Sequence, residues 1–149
     1  MTRSADRGAA GEDGSMLPLI IFYSALSLVL ILLVVAATSL YLERKRLFTL
    51  ADGASLVGAE AFTLDDVRLT TKGYRPMLKS ADVASAVRDY LHDNPVEEFT
   101  ALKVDRAVSV DGRSATVELS AWWQPPVISL LVPKGFRIDV TSVARSVFS

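Results

Sequence analysis

The stretch "SMLPLIIFYSALSLVLILLVVAATSLYLERKRLFTLADGASLVGAEAF", Ser15–Phe62, decides how the rest of the chain is read. It starts as an apolar run and ends as an amphipathic helix, with no Gly or Pro between Pro18 and Gly53 and no charged residue between Asp13 and Glu43. A bilayer core takes roughly 20 apolar residues of helix. Residues 17–42 supply that length with no Lys or Arg to bury, so a transmembrane helix is expected there. A cleaved secretory signal is the first rival, with its basic start, apolar core of about 7–15 residues and small-residue cleavage site. The core here is longer. The polar leader, 1–16, sets Arg3 and Arg7 against Asp6, Glu12 and Asp13, although Ala36 and Ala37 offer small residues for a cut. A buried core helix is the second rival, and the 87 residues after Phe62 are too few to enclose it.

The apolar pattern continues past the lipid. Leu47, Leu50, Ala51, Ala54, Leu56, Val57 and Ala61 keep near-helical spacing. Gly53 and Gly58 weaken that helix by about 1 kcal/mol each. A helix running from the span through an extension, 43–62, is therefore expected, packed either on its own head or on other copies. Basic residues flank the span on both sides: Arg3 and Arg7 before it, Arg44, Lys45 and Arg46 after it. Counted alone, they favour a cytoplasmic C-terminus.

The bulk numbers agree with a membrane-attached small domain. The 149 residues are 50% hydrophobic, and the net charge is −1, which gives no general basic character for nucleic acid. From Thr63 onward, 11 Lys/Arg balance 11 Asp/Glu. The absence of cysteine excludes disulfides, thiolate metal sites and cysteine nucleophiles. The single His92 cannot build a histidine metal cluster.

The order of leader, apolar helix, "RKRLFTLADGASLVGAEA" and small mixed domain resembles the TadE/TadG-like Flp pilus-assembly family of pseudopilin-like membrane proteins. Arg46, Leu50, Ala51, Asp52, Ala54, Leu56 and Ala59 fall at the places of that family's basic, Asp-centred Ala/Leu segment. The C-terminal "GFRIDVTSVARS" is similar to its last strand. The resemblance implies a non-enzymatic, single-pass component of a Flp (type IV-like) pilus or secretion apparatus. It implies a cytoplasmic N-terminus, an extracytoplasmic head in a bacterial cell membrane, and other pseudopilin-like proteins as partners. That orientation opposes the charge count and is preferred to it. Gly14 and Ser15 form the candidate processing site, but Leu19 stands where prepilin-like members carry glutamate, so the TadG-like form with an uncut anchor fits at least as well. In lipid, helices associate through small residues and close packing, which makes Ser24, Ser27, Ala36, Ala37 and Ser39 the candidate contact positions.

After a connector, 63–79, with turn signals at Lys72-Gly73 and Arg75-Pro76, residues 80–149 read as a small α+β head. Ser80 is expected to cap a helix whose apolar face is Val83, Ala84, Val87 and Leu91, ended by "HDNP". Asp111-Gly112 joins two alternating runs and suits a two-residue type I′ hairpin. That turn pairs Val110 with Arg113, Val108 with Ala115, Arg106 with Val117, Val104 with Leu119 and Leu102 with Ala121. "FRIDVTSVARSVF" is the third strand. The expected architecture is a long N-terminal transmembrane helix extending into a head with one short helix and a three-stranded antiparallel sheet.

No P-loop, GxGxxG, GxSxG or HExxH pattern is present. Asp65-Asp66 and Glu97-Glu98 read as surface acids, and no cofactor, metal or small-molecule substrate is expected. Asp105 is expected across from Glu118, leaving room for a cation or partner between them. Trp122 and Trp123 must point to opposite strand faces. With Val127, Ile128, Leu130 and Leu131 they form either a loop folded on the head or a patch for a partner or the lipid surface. The alternative function is a membrane-tethered cell-envelope binding or regulatory module unrelated to pili.

Overall fold

The structure, a computed structural model, describes residues 16–62, 67–70, 73–95, 99–125 and 135–146. The chain divides into two compact units, Met1–Ala37 and Thr38–Ser149. One helix, α1 (Met16–Glu60), enters both. Pro18 sits in its first turn, where backbone N–H groups lack helical partners anyway.

Within the first unit every residue from Met16 to Ile31 is exposed, including Leu17, Ile20, Phe22 and Leu30. An apolar surface of that extent has no place in water, and α1 is long and apolar enough to cross a membrane. This length and composition support membrane anchoring.

In the second unit α1 becomes one-sided. Leu47, Leu50, Ala51, Ala54, Ser55, Gly58 and Ala59 are buried, a three-and-four repeat that makes one stripe. This stripe covers a three-stranded antiparallel sheet of β3 (Thr100–Val108), β4 (Ser114–Trp123) and β5 (Phe136–Arg145), in that spatial order. The register of β4 with β5 is unbroken from Ser114↔Arg145 to Trp123↔Phe136. It brings Ala115, Val117, Leu119, Ala121 and Trp123 onto the same face as Ile138, Val140, Ser142 and Ala144, and all nine are buried. Helix and strand match in length. Ser39 meets Trp123 and Gly58 meets Ala115. That separation is about 28 Å along a helix and about 27 Å along a strand. The extension of α1 thus packs on its own head.

The short helix α2 (Ser80–Asp93) buries Val83 and Val87 and leaves Ala84 and Leu91 half-buried. Ser80 does not cap it. Lys79 holds the cap position, and the Ser80 hydroxyl instead donates to the Ser109 carbonyl and accepts from the Ser109 amide, tying α2 to the β3–β4 loop. The connector also carries regular structure that the turn signals did not reveal, an antiparallel pair β1 (Val67–Thr70) and β2 (Gly73–Pro76).

The β3–β4 hairpin forms, but without the type I′ turn. Near the loop the register is Val108↔Thr116, Ala107↔Val117 and Arg106↔Glu118, one residue off the expected pairing. The cause is the Asp111 side chain. Its Oδ1 accepts from the amides of Arg113 and Ser114 and from the Ser114 hydroxyl, at 2.9, 2.7 and 2.8 Å. That bonding closes a wider loop, in which Gly112 alone takes positive φ (+66°), whereas type I′ needs two such residues. A bulge between Val104 and Arg106 restores the expected Val104↔Leu119 pair. A second shift lies between Thr100 and Lys103, where Ala101 adopts φ 51°. The expected face of β4 therefore survives, although of the five expected pairs only Val104↔Leu119 is observed.

Candidate functional site: the helix–sheet seam and the surfaces around it

Four of the seven motif residues, Leu50, Ala51, Ala54 and Ala59, lie in the buried stripe. Arg46, Asp52 and Leu56 lie on the exposed side. Asp52 nevertheless ties α1 to the sheet. Its Oδ1 accepts from the Ser142 hydroxyl of β5 at 3.0 Å, and the Ser142 and Ser55 hydroxyls are 3.2 Å apart. Ser55 also donates to the Asp52 carbonyl at 2.9 Å. With the Ser142 proton committed to the carboxylate, the single Ser55 proton is shared between the Asp52 carbonyl and the Ser142 hydroxyl. Ser55 and Ser142 are 0% and 5% exposed, so each needs such partners. Sequence reasoning identified Asp52 and missed both serines, whose only signal was their small polar size inside an apolar stripe.

Two glycines let α2 approach α1. A Cβ on Gly58 would stand 3.1 Å from Val83, 3.2 Å from Ala115 and 3.4 Å from Val87. On Gly53 it would collide with the Tyr90 phenol. Gly58 thus sits where α1, α2 and β4 meet.

At the other end of the seam, Trp123 donates from Nε1 to the Ser39 hydroxyl at 3.3 Å and stacks on Phe136, ring centroids 6.3 Å apart. Ser39, read from sequence as a helix-packing position, is thereby used by its own head. Of the other packing candidates, Ser24 and Ser27 are exposed and about 60° apart around the helix at 100° per residue. Ala36 and Ala37 lie about 120° and 140° from Ser24 in opposite senses, so the four do not form one stripe. Trp122 points away from Trp123 and is 42% exposed. Val127, Ile128, Leu130 and Leu131 lie outside the described residues, as do Gly14, Ser15, Asp65-Asp66 and Glu97-Glu98.

The outer sheet face is polar. Arg137 donates to Asp105 Oδ2 at 2.6 Å and to the Ser120 hydroxyl at 3.1 Å, while Arg106 lies 3.6 Å from Glu118. Asp105 does not stand across from Glu118 as expected: the shifted register pairs Glu118 with Arg106, and each carboxylate is met by an arginine of the chain, Arg137 at Asp105 and Arg106 at Glu118, in place of an outside cation or partner. The Ser120 hydroxyl and the Arg137 guanidinium hold the Asp105 carboxyl below its usual range. At Asp111 the two backbone amides and the Ser114 hydroxyl lower it to about 2.

His92 is exposed in the last turn of α2, with Asp93 at 3.4 Å. Among the described residues no three metal-ligating side chains converge. A groove of about 360 Å³ opens beside the seam, lined by Tyr41, Arg44, Lys45 and Phe48 of α1 and by Val140 and Thr141 of β5.

Residues 14–61 match the family model described as "Putative Flp pilus-assembly TadE/G-like". The matched segment is the α1 helix with its two preceding residues and the one that follows it, and it includes all seven motif positions. No curated protein and no solved structure matches the chain.

Proposed function

We propose that this chain is a non-enzymatic, single-pass membrane component of a Flp pilus or related secretion apparatus. The exposed apolar part of α1 packs against other pseudopilin-like helices, and the head stands outside the cytoplasm. The observation that carries the reading is the match of residues 14–61 to a pilus-assembly family, on a helix whose first half is uncharged and exposed from Met16 to Ile31. With Leu50, Ala51 and Ala54 committed to the head, the lateral contacts fall to the span, where Ser24 and Ser27 permit close approach, and to the head's outer features, Trp122 among them.

The cysteine-free sequence makes the test direct. Single cysteines placed along 19–37 of the full chain should cross-link, in cells, to pilus-assembly membrane proteins with a helical period. Cross-linking with no period, or none to such proteins, would sink the assembly role. Val110, 75% exposed on the hairpin loop, serves for orientation. Val110→Cys should react with a membrane-impermeant maleimide in intact spheroplasts, and labelling only after lysis would reverse the orientation.

A further inference from the structure

The groove beside the seam combines three features that point to one ligand. Tyr41, Arg44, Lys45 and Phe48 are spaced by three, one and three residues, so they share one face of α1, and Val140 and Thr141 supply the opposite wall. The walls carry both cations and hydrocarbon: the two basic side chains, two aromatic rings that are 66% and 47% exposed, and the apolar Val140. Among the described residues neither Arg44 nor Lys45 takes part in an ion pair.

The groove also starts at the end of the apolar run. Leu42 is the last residue of that run, and Tyr41 and Arg44 flank it. A tyrosine and paired basic residues at that place meet the headgroup layer, where Lys and Arg are attracted to anionic lipid. A mixed apolar and cationic cleft is complementary to a molecule with a phosphate at one end and acyl chains at the other.

We propose that the groove binds one anionic phospholipid. Its phosphate lies between Arg44 and Lys45, and its acyl chains run against Tyr41 and Phe48. This role accounts for three basic residues beside an extracytoplasmic head, because two of them act as lipid ligands instead of setting topology. The inference rests on 17–42 being a membrane span. Extraction of the chain from membranes by alkaline carbonate would remove that premise, whereas the binding test below is read in micelles and fails or succeeds separately.

The full chain in neutral detergent micelles is titrated with dioleoylphosphatidylglycerol, dioleoylphosphatidylcholine or inorganic phosphate. Melting of the head is followed by fluorescence of Trp122 and Trp123, the chain's two tryptophans. Phosphatidylglycerol should raise Tm saturably and phosphatidylcholine should not. Arg44→Gln/Lys45→Gln should raise the half-saturating mole fraction about 10- to 30-fold. Thr141→Phe fills the exposed wall, keeps both charges and leaves the tryptophan signal unchanged, so it should abolish the shift, and Phe48→Ala should weaken it several-fold. An undiminished shift in both Thr141→Phe and Phe48→Ala would reduce the effect to general surface charge and overturn the site. An equal Tm rise with millimolar inorganic phosphate would make it a free-anion site and overturn the lipid assignment.

Discussion

Replacing Gly58 by alanine tests the packing of the head at its tightest point. In an exposed helix the change would stabilise by about 1 kcal/mol, because glycine spends more backbone entropy than alanine on becoming helical. Here the new carbon would stand 3.1 Å from Val83 Cγ1, 3.2 Å from Ala115 Cβ and 3.4 Å from Val87 Cγ2. The optimum for carbon pairs is roughly 3.5–4.0 Å, so α1 would have to retreat by a few tenths of an ångström. None of the three neighbours yields easily. Ala115 is fixed in the central strand, and Val83 and Val87 are fully buried in α2. Overpacking of this kind costs about 1–3 kcal/mol, which exceeds the helix gain, so a net loss of about 1 kcal/mol is expected. Gly53→Ala is the internal control. Its new carbon meets the end of the half-buried Tyr90 side chain, which can swing into solvent, so that variant should be within about 0.5 kcal/mol of the parent. Urea unfolding of the full chain in micelles, read by tryptophan fluorescence, measures both. A Gly58→Ala variant more stable than the parent, matching the bare helix gain, would refute the close junction of α1, α2 and β4.

Three further outcomes follow from the seam and the loop. A double-mutant cycle on Asp52→Ala and Ser142→Ala should give a coupling energy of about 1 kcal/mol in the same unfolding assay, and additive losses would remove the helix–sheet bond. The Asp111 carboxyl has an ordinary value of 3.8 and a folded value of about 2. Because the folded value is the lower one, its contribution is complete above about pH 4 and is lost as pH falls towards 2. Acid melting curves of Asp111→Asn should therefore be flatter than the parent's over that window, and identical slopes would contradict the loop geometry. Trp123→Ala should cost about 3–5 kcal/mol, whereas Trp122→Ser should leave Tm nearly unchanged and reduce cross-linking to partners. Unchanged Tm with unchanged cross-linking would exclude Trp122 as a contact.

What could be read from the sequence divides along physical lines. The long apolar helix needed only length, apolar character and the absence of charge, all local properties. The β4 core face was equally legible, because strand alternation fixes Ala115, Val117, Leu119 and Ala121 on one side whatever the partner's register. The register itself was not, since it depended on where one carboxylate sends its hydrogen bonds. Asp111-Gly112 has the composition of a type I′ turn, but the Asp111 side chain can also accept three bonds and hold a wider loop, and composition does not rank the two. Ser80 went astray in the same way. A serine before an apolar helical pattern is a good cap by residue type, yet its hydroxyl had a tertiary partner at Ser109. The Arg137–Asp105 pair, 32 residues apart in sequence, had no local signal at all.

The fate of the Asp-centred Ala/Leu segment changes what the family match says about assembly. Small residues on a long helix suggest partner helices, and from sequence both homotypic packing and packing on the head were open. The structure uses Ala51, Ala54, Ser55 and Gly58 to bring α1 against its own sheet, with Asp52 fastened to Ser142. A side chain larger than these would push the helix off β4 and β5, so the smallness of the stripe is already explained by closure of the head. Those residues are then no measure of the partner. Under the proposed assembly role, specificity for other membrane proteins would come from exposed side chains instead, namely those of the apolar run, Leu56 and Val57 on α1, and Trp122 on the outer sheet face. Substitutions in the buried stripe should therefore lower head stability and assembly together. Substitutions in the span should change assembly while the head melts as before, and that separation is what distinguishes a folding motif from a docking one.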